Sequence, residues 1–359
     1  MDDSDRTKAL AERLRADTLG ALELYTLYLG ERLGLYRALA DGEPVTSSEL
    51  AERTGTVERY VREWLEHHAA SGLLEVDDPA GDPFERRYRM PPEHVPVLAE
   101  RDHLLYQAHR GVELVRAARP MPDLVDAFRT GGAPPPIRWE PEGRAEFNRP
   151  IYLQLLGKEW LPSIDGVDER LRADPRARVA DVACGTGWSS IAMARAYPTI
   201  SVHGFDVDED AIALARSHLE GEGPGVAERV TFSVSDAGDP GLAGRFDLVT
   251  ILEALHDMSR PVEALRAARA MLADGGSVLI ADELVGETFT APASEDDRFV
   301  YGWSVVSCLP YAMDDPQSAA TGAVMRPSTL RRYADDAGFR EVDILPIEND
   351  WFTFYLLRP

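Results

Sequence analysis

Three carboxylates, two glycines and one histidine are placed where they can do chemistry in this chain. Asp181, Asp206 and Asp236 each fall at or near the end of a short apolar run, and Gly185 and Gly187 follow the first of these runs directly. Residues 179–190 read Val-Ala-Asp-Val-Ala-Cys-Gly-Thr-Gly-Trp-Ser-Ser, the pattern of a buried parallel strand, a tight turn and the start of a helix. The glycines let backbone approach a ligand where a Cβ would clash. The helix that follows points its amide-bearing end at the same place, so a small ligand with an anionic or hydroxyl-rich group is expected there. The second reactive stretch is Glu253-Ala-Leu-His256-Asp257-Met258. An imidazole titrating near pH 6.5 suits removal of a proton close to neutrality. Asp257 can orient His256, or Glu253 can act in its place; equally, His256 can be a structural residue capping the next helix. The other seven histidines show no His-Glu-x-x-His spacing, and the two cysteines, Cys184 and Cys308, show no Cys-x-x-Cys, so no metal is expected.

These residues need a scaffold, and the pattern from residue 178 onward supplies one. Apolar runs at 178–183, 200–206, 229–234, 246–252 and 277–282 alternate with helical stretches near 189–197, 209–220 and 261–272, which is the signature of a parallel sheet with crossover helices. The three aspartates then face one crevice beyond the carboxyl edge of that sheet. Two last strands, 341–348 and 350–357, are separated by Asn349 alone. That link is too short for a crossover, so they must pair antiparallel. The fold class is therefore α/β, a Rossmann-like seven-stranded sheet with an antiparallel last strand, over residues 171–359. Ahead of it, residues 9–40 carry a helical period through Leu10, Leu14, Leu22, Tyr25, Leu29, Leu33 and Tyr36. A short helix capped by Ser47 or Ser48 and closed by Gly55, a second helix over 57–70 and two strands around the turn 78–83 complete an α-rich winged helix-turn-helix domain, residues 1–98. Residues 99–170 read as a helical connector or lid, broken by Gly-Gly-Ala-Pro-Pro-Pro at 131–136.

A dinucleotide fingerprint wants Gly-x-Gly-x-x-Gly. Ser190 stands at the third position, which counts against a nicotinamide cofactor. The acids favour S-adenosylmethionine (SAM) instead. Asp181 would polarise water or amine near the methionine end, Asp206 would accept the ribose hydroxyls, and Asp236, in Ser235-Asp236-Ala237, would accept from the adenine amine. Cys184 and Val207, beside the turn and the second strand end, complete the cofactor set. With these residues the stretch resembles the first motif of class I SAM-dependent methyltransferases, acidic-x-Gly-x-Gly-x-Gly, with Ala183 in place of the first glycine. With the winged helix in front, the chain is similar to a bacterial group of such enzymes, as are residues 253–258 and Tyr301-Gly-Trp303-Ser304. The resemblance implies SAM as donor and S-adenosylhomocysteine as product; it says little about the acceptor.

An acceptor would approach past the fourth strand and under residues 299–313, where Tyr301, Trp303, Tyr311 and Met313 either form an apolar wall or simply pack. Residues 287–297 read as a lid. Among Trp139, Phe147, Tyr152 and Trp160, which can be core or can close over the ligand, Tyr152 and Trp160 are taken as acceptor contacts. The expected activity is methyl transfer to a small aromatic or lipophilic molecule, at oxygen. The alternatives are SAM chemistry without methyl transfer, such as cyclisation or decarboxylation, and a SAM-binding transcriptional regulator.

Bulk properties limit the partners. The chain of 359 residues carries a net charge of −24, which disfavours phosphate backbones and anionic membranes. Between residues 41 and 89 there are twelve Asp and Glu against six Arg and no Lys. The helix at 57–70 is thus a poor reader of DNA, and the winged helix is expected to make a homodimer or a substrate lid. No apolar run approaches the ~20 residues of a membrane span, and the acidic start Met-Asp-Asp-Ser-Asp is unlike a signal peptide. Two free thiols and a cytoplasmic location are expected.

Overall fold

The computed structural model describes residues 2–134, 147–236, 242–313 and 315–359, so Trp139 and Ala237 lie outside the described residues. The chain divides into two compact units, Met1–Arg119 and Pro120–Pro359. In the first, the helix Asp3–Arg32 is capped by Asp2 in a reciprocal capping box with Asp5. Gly34, in the left-handed region at φ 69°, separates it from Leu35–Leu39, so the apolar period of 9–40 spans two helices. The cap of Ser47–Thr54 is Thr46, one residue earlier than either serine. Its hydroxyl accepts the Glu49 amide at 3.2 Å while Glu49 accepts the Thr46 amide at 2.8 Å; Ser47 instead donates to Glu58 at 2.6 Å. After Glu58–Ala70 the wing is β1 (Glu75–Asp77) paired antiparallel with β2 (Arg87–Arg89). Leu35, Tyr36, Leu50, Leu65, Tyr88 and Met90 form the buried core of this unit.

Arginines of the would-be recognition region are already paired. Arg59 meets Glu63, Arg62 lies 3.3 Å from Glu58, and Arg86 lies 2.7 Å from Glu66. The helix His109–Ala118 also belongs to this unit, since it packs against Asp3–Arg32 so closely that a Cβ at Gly111 would meet the backbone of Leu24 and Tyr28. The boundary between the two compact units falls after residue 119.

The second unit holds β3 (Arg178–Val182), β4 (Ser201–Asp206), β5 (Val230–Val234), β6 (Phe246–Leu252), β7 (Leu272–Glu283), β8 (Glu341–Leu345) and β9 (Phe352–Arg358). They form one sheet in the order β5-β4-β3-β6-β7-β9-β8. Every pair from β5 to β7 is parallel, and β9 runs antiparallel to both its neighbours. Chain order reverses at β3, between β4 and β6, which is where open α/β sheets form a ligand crevice. The hairpin link is longer than one residue, and Asn349 builds it: its side-chain Oδ1 accepts the Trp351 and Phe352 amides at 2.9 and 2.7 Å. The helix Pro327–Asp336 has Arg326 at the cap and proline in the first turn.

Trp160, expected on the acceptor, packs in the core. It ends the π-helical segment Tyr152–Trp160, is 2% exposed, and packs edge-on against Phe354 and Phe352 of β9, with ring centroids 4.8 and 5.9 Å away. Tyr152 is buried in the first turn of that segment.

Candidate active site

The turn after β3 is built by its own side chains. Asp181 is 1% exposed. One carboxylate oxygen accepts the hydroxyls of Ser189 and Ser190, each at 2.6 Å, and the other accepts Thr250 of β6 at 2.8 Å. Burial pushes this carboxyl above its usual range, against the three hydroxyl donors that pull it down; nearby Asp206 adds to the rise. Its oxygens serve protein hydroxyls, so Asp181 braces the turn and the start of the helix Trp188–Ala196. Ser190 thereby acquires a reason: a glycine there would lose one of the three braces.

The two glycines differ. Gly187, at φ 83°, has no room for a Cβ, which would lie 2.5 Å from Phe232 Cζ and 2.9 Å from Ala215 Cβ. Gly185, at φ 51°, has open space where its Cβ would be. Its amide donates to Asp206 Oδ2 at 2.8 Å, and Asp208's amide donates to Oδ1 at 2.9 Å. Each Asp206 oxygen keeps a lone pair for a further donor. Val207 beside it is 75% exposed. Cys184 is buried, its amide held by Phe205 at 3.0 Å. Ser235 follows β5, its amide donating to Asp206's carbonyl at 2.9 Å, and Asp236 is exposed next to it. An open glycine turn, a half-buried carboxylate with spare lone pairs, and an exposed apolar side chain beside it fit a nucleoside carrying an amino-acid tail.

A second cluster forms where β6 and β7 end side by side. Leu252 pairs with Ala281, so the residues just beyond β6 meet Asp282 and Glu283. His256 and Asp282 are each 1% exposed. The Nδ1–H of His256 donates to Asp282 Oδ1 at 2.7 Å, and its backbone amide donates to Oδ2 at 3.3 Å. Nε2 lies 3.2 Å from Asp257 Oδ1. Burial opposes the charged ring, but Asp282 and Asp257 together outweigh it and hold His256 well above the ordinary histidine value. Glu283 is pushed up to about 8 by burial and by the charge of Glu253. Glu253 itself sits at φ 53°, an uncommon conformation for a residue with a side chain. Its amide bonds to Ala281's carbonyl at 2.7 Å, and its carboxylate accepts from Asn148.

Asp282 is the residue the sequence reading missed. Asp257, named there as orienter, lies on the other nitrogen.

Residues 294–313 carry the aromatics. Phe289 meets Tyr301 edge-on at 6.3 Å and Phe299 meets Trp303 at 6.2 Å. Tyr301 and Trp303 are half-buried, Phe289 and Phe299 exposed. The Tyr301 hydroxyl accepts from Arg326 at 3.0 Å.

Comparison with known proteins agrees with both units. A methyltransferase-domain family matches residues 180–278, and an Rv2258c-like winged HTH domain matches residues 20–100. The ubiquinone biosynthesis O-methyltransferase of Pseudomonas paraeruginosa is 29% identical over 182 residues, 51% of this chain and 72% of that protein. The protein of the same name from Marinobacter nauticus is 35% identical over 114 residues, 32% of this chain and 47% of that one. Three solved structures share the fold over nearly whole chains. Mitomycin 7-O-methyltransferase MmcR has a TM-score of 0.72 at 21% identity, covering 99% of both chains. Human N-acetylserotonin methyltransferase in complex with SAM has 0.70 at 18%, covering 100% of this chain and 98% of that one. PigF with SAH has 0.70 at 19%, covering all of both. With a methyltransferase domain built on this sheet and turn, behind a winged helix-turn-helix domain, the chain is a SAM-dependent methyltransferase of the class I fold.

Proposed function

We propose that the enzyme methylates a hydroxyl oxygen of a small aromatic or lipophilic acceptor, with His256 as general base. The observation that carries this reading is the His256–Asp282 pair. A carboxylate only accepts, so Asp282 keeps a proton on Nδ1, leaving Nε2 as the basic nitrogen. It also stabilises the imidazolium formed when that nitrogen takes a proton, the division of labour known from histidine–aspartate pairs elsewhere. SAM, when bound, supplies an electrophilic methyl group on a sulfonium. Gly185, Gly187, Asp206, Val207, Ser235 and Asp236 would hold it, with Asp181 bracing the turn. Nε2 faces Asp257, which must turn aside for an acceptor hydroxyl to donate there. Asp257 is only partly buried.

The choice of acceptor rests on the apolar side chains beyond β7, including Tyr301, Trp303 and exposed Phe289, Phe299 and Met313. The relatives' names, which specify mitomycin, N-acetylserotonin and ubiquinone biosynthesis, point the same way. Purified protein with SAM and a panel of phenols should form S-adenosylhomocysteine, and His256→Ala should lower kcat by roughly 10²–10⁴-fold with little change in SAM affinity. An unaffected rate would return His256 to a structural role.

We place the enzyme in the cytoplasm as a homodimer. Cys184 and Cys308 form no disulfide, and among the described residues no helix is long and apolar enough to cross a membrane. The helix Asp3–Arg32 exposes Leu10, Leu14, Leu19, Leu22 and Leu29, each at 45–55%. This exposed apolar surface, spread around more than one face of the helix, is surface a second copy would cover. Sedimentation should show a dimer that Leu14→Glu with Leu22→Glu splits; a monomeric parent would refute the assignment.

A further inference from the structure

We infer that His256, Asp257 and Cys308 form a binding site for a zinc-class divalent cation, and that occupation of this site blocks proton removal. Among the described residues these three present one imidazole nitrogen, one carboxylate oxygen and one sulfur, all within 4.8 Å of one another. Nε2 and Oδ1 are already 3.2 Å apart, close to the donor spacing of about 3.3–3.7 Å that tetrahedral zinc at ~2.0–2.3 Å imposes. A bound ion would draw all three donors to that spacing, and Cys308 closes the π-helical turn Ser304–Cys308, a type of backbone irregularity common at functional sites. Nitrogen, sulfur and oxygen donors together select a borderline-soft ion such as zinc over magnesium or calcium.

The outer shell fits as well. A metal-bound histidine needs its other N–H held by an acceptor, and Asp282 does this at 2.7 Å from Nδ1. Three protein donors leave a fourth position open to water, as in zinc sites that are not purely structural. On binding, the thiol proton and the Nε2 proton leave to solvent and the sulfur binds as thiolate. The metal then occupies the nitrogen that takes the acceptor's proton. This second half rests on the reading of His256 as base; the first does not. No sequence spacing announces the set, because it joins the short turn Leu255–Asp257 to a helix turn some fifty residues later.

Cobalt(II), titrated into the full-length protein without acceptor, reports thiolate ligation through its ultraviolet charge-transfer band. The band should saturate at one equivalent and be displaced by zinc. It should vanish in both Cys308→Ser and Cys308→Ala, with retained SAM binding showing that each variant is folded. Asp282→Asn should weaken zinc by roughly 10–100-fold. Zinc should lower kcat at saturating acceptor without changing the Kd for SAM. No band in the parent, or an undiminished band in both Cys308 variants, overturns the site while leaving the base assignment intact. Stoichiometric zinc through Cys308 with undiminished turnover overturns the blocking role, and the base assignment with it.

Discussion

Asp282→Asn tests the electrostatics of the site most directly, because the two side chains are nearly isosteric and the pair is buried. Asp282 Oδ1 accepts both the His256 ring N–H at 2.7 Å and the Glu283 amide at 2.9 Å, while Oδ2 accepts the His256 amide at 3.3 Å. An asparagine keeps its carbonyl oxygen on the Oδ1 side, where two donors wait, and places its NH₂ against the longer, weaker contact. The ring and its tautomer are therefore retained, and what disappears is charge. Unit charges about 4 Å apart at an effective dielectric near 20 interact by about 4 kcal/mol, equivalent to about three pH units.

In the parent enzyme Asp282 and Asp257 hold His256 well above the ordinary histidine value against its burial, so turnover should still climb with pH above the range of an ordinary histidine. In Asp282→Asn burial has less to oppose it, so the inflection should move down by about two to three pH units, with a lower plateau because the imidazolium has lost its counter-ion. The assay is S-adenosylhomocysteine release at saturating SAM and acceptor across the pH range, parent against variant. Superimposed profiles would refute the claim that this imidazole is the titrating base. Stability must follow in parallel. A histidine raised above its unfolded value near 6.5 contributes fully below that value and loses the contribution as pH rises through the folded value. Parent unfolding free energy should thus fall on the alkaline side, and that fall should be absent in His256→Gln.

The two glycines of the turn should separate stability from binding. Gly187→Ala places a Cβ against Phe232 and Ala215 at φ 83° and should cost about 2–5 kcal/mol in denaturant unfolding, through left-handed strain and overpacking; a loss below ~0.5 would contradict the packing. Gly185→Ala meets open space, so it should fold with a loss of only about 1–2 kcal/mol yet weaken SAM by tenfold or more, as calorimetry will show. Asp206→Ala should weaken SAM by roughly 1.5–3 kcal/mol, the range for a hydrogen bond to a charged group, and unchanged affinity would remove the ribose assignment. Trp160→Ala should destabilise by about 3–5 kcal/mol while the folded enzyme keeps its acceptor KM; a selective KM change would restore Trp160 to the acceptor site.

What could be read from the sequence was local, and what could not depended on register. The turn at 183–187 and the aspartates after β4 and β5 stand out because strand ends and glycines are marked within a few residues of themselves. The capping of Ser47–Thr54 shows how fine that limit is: Thr46, Ser47 and Ser48 have equivalent chemistry, and only Glu49's reach back to the Thr46 amide chooses among them. Trp160 meets a related limit, since in sequence a tryptophan beside a ligand-binding sheet looks the same whether it faces β9 or an acceptor. Asp181 lies where expected, but its task follows from hydroxyls supplied by the next helix and by β6. Asp282 is the clearest case. It is 26 residues from His256 and becomes its partner only because β6 and β7 pair with Leu252 against Ala281, which delivers two chain segments to one point. Such a pairing is set by the whole sheet, so no local pattern around His256 distinguishes Asp282 from Asp257. The proposed base and its orienter are thus brought together by strand register. A one-residue slip between β6 and β7 would turn Asp282 to the opposite face of the sheet and leave His256 with Asp257 alone.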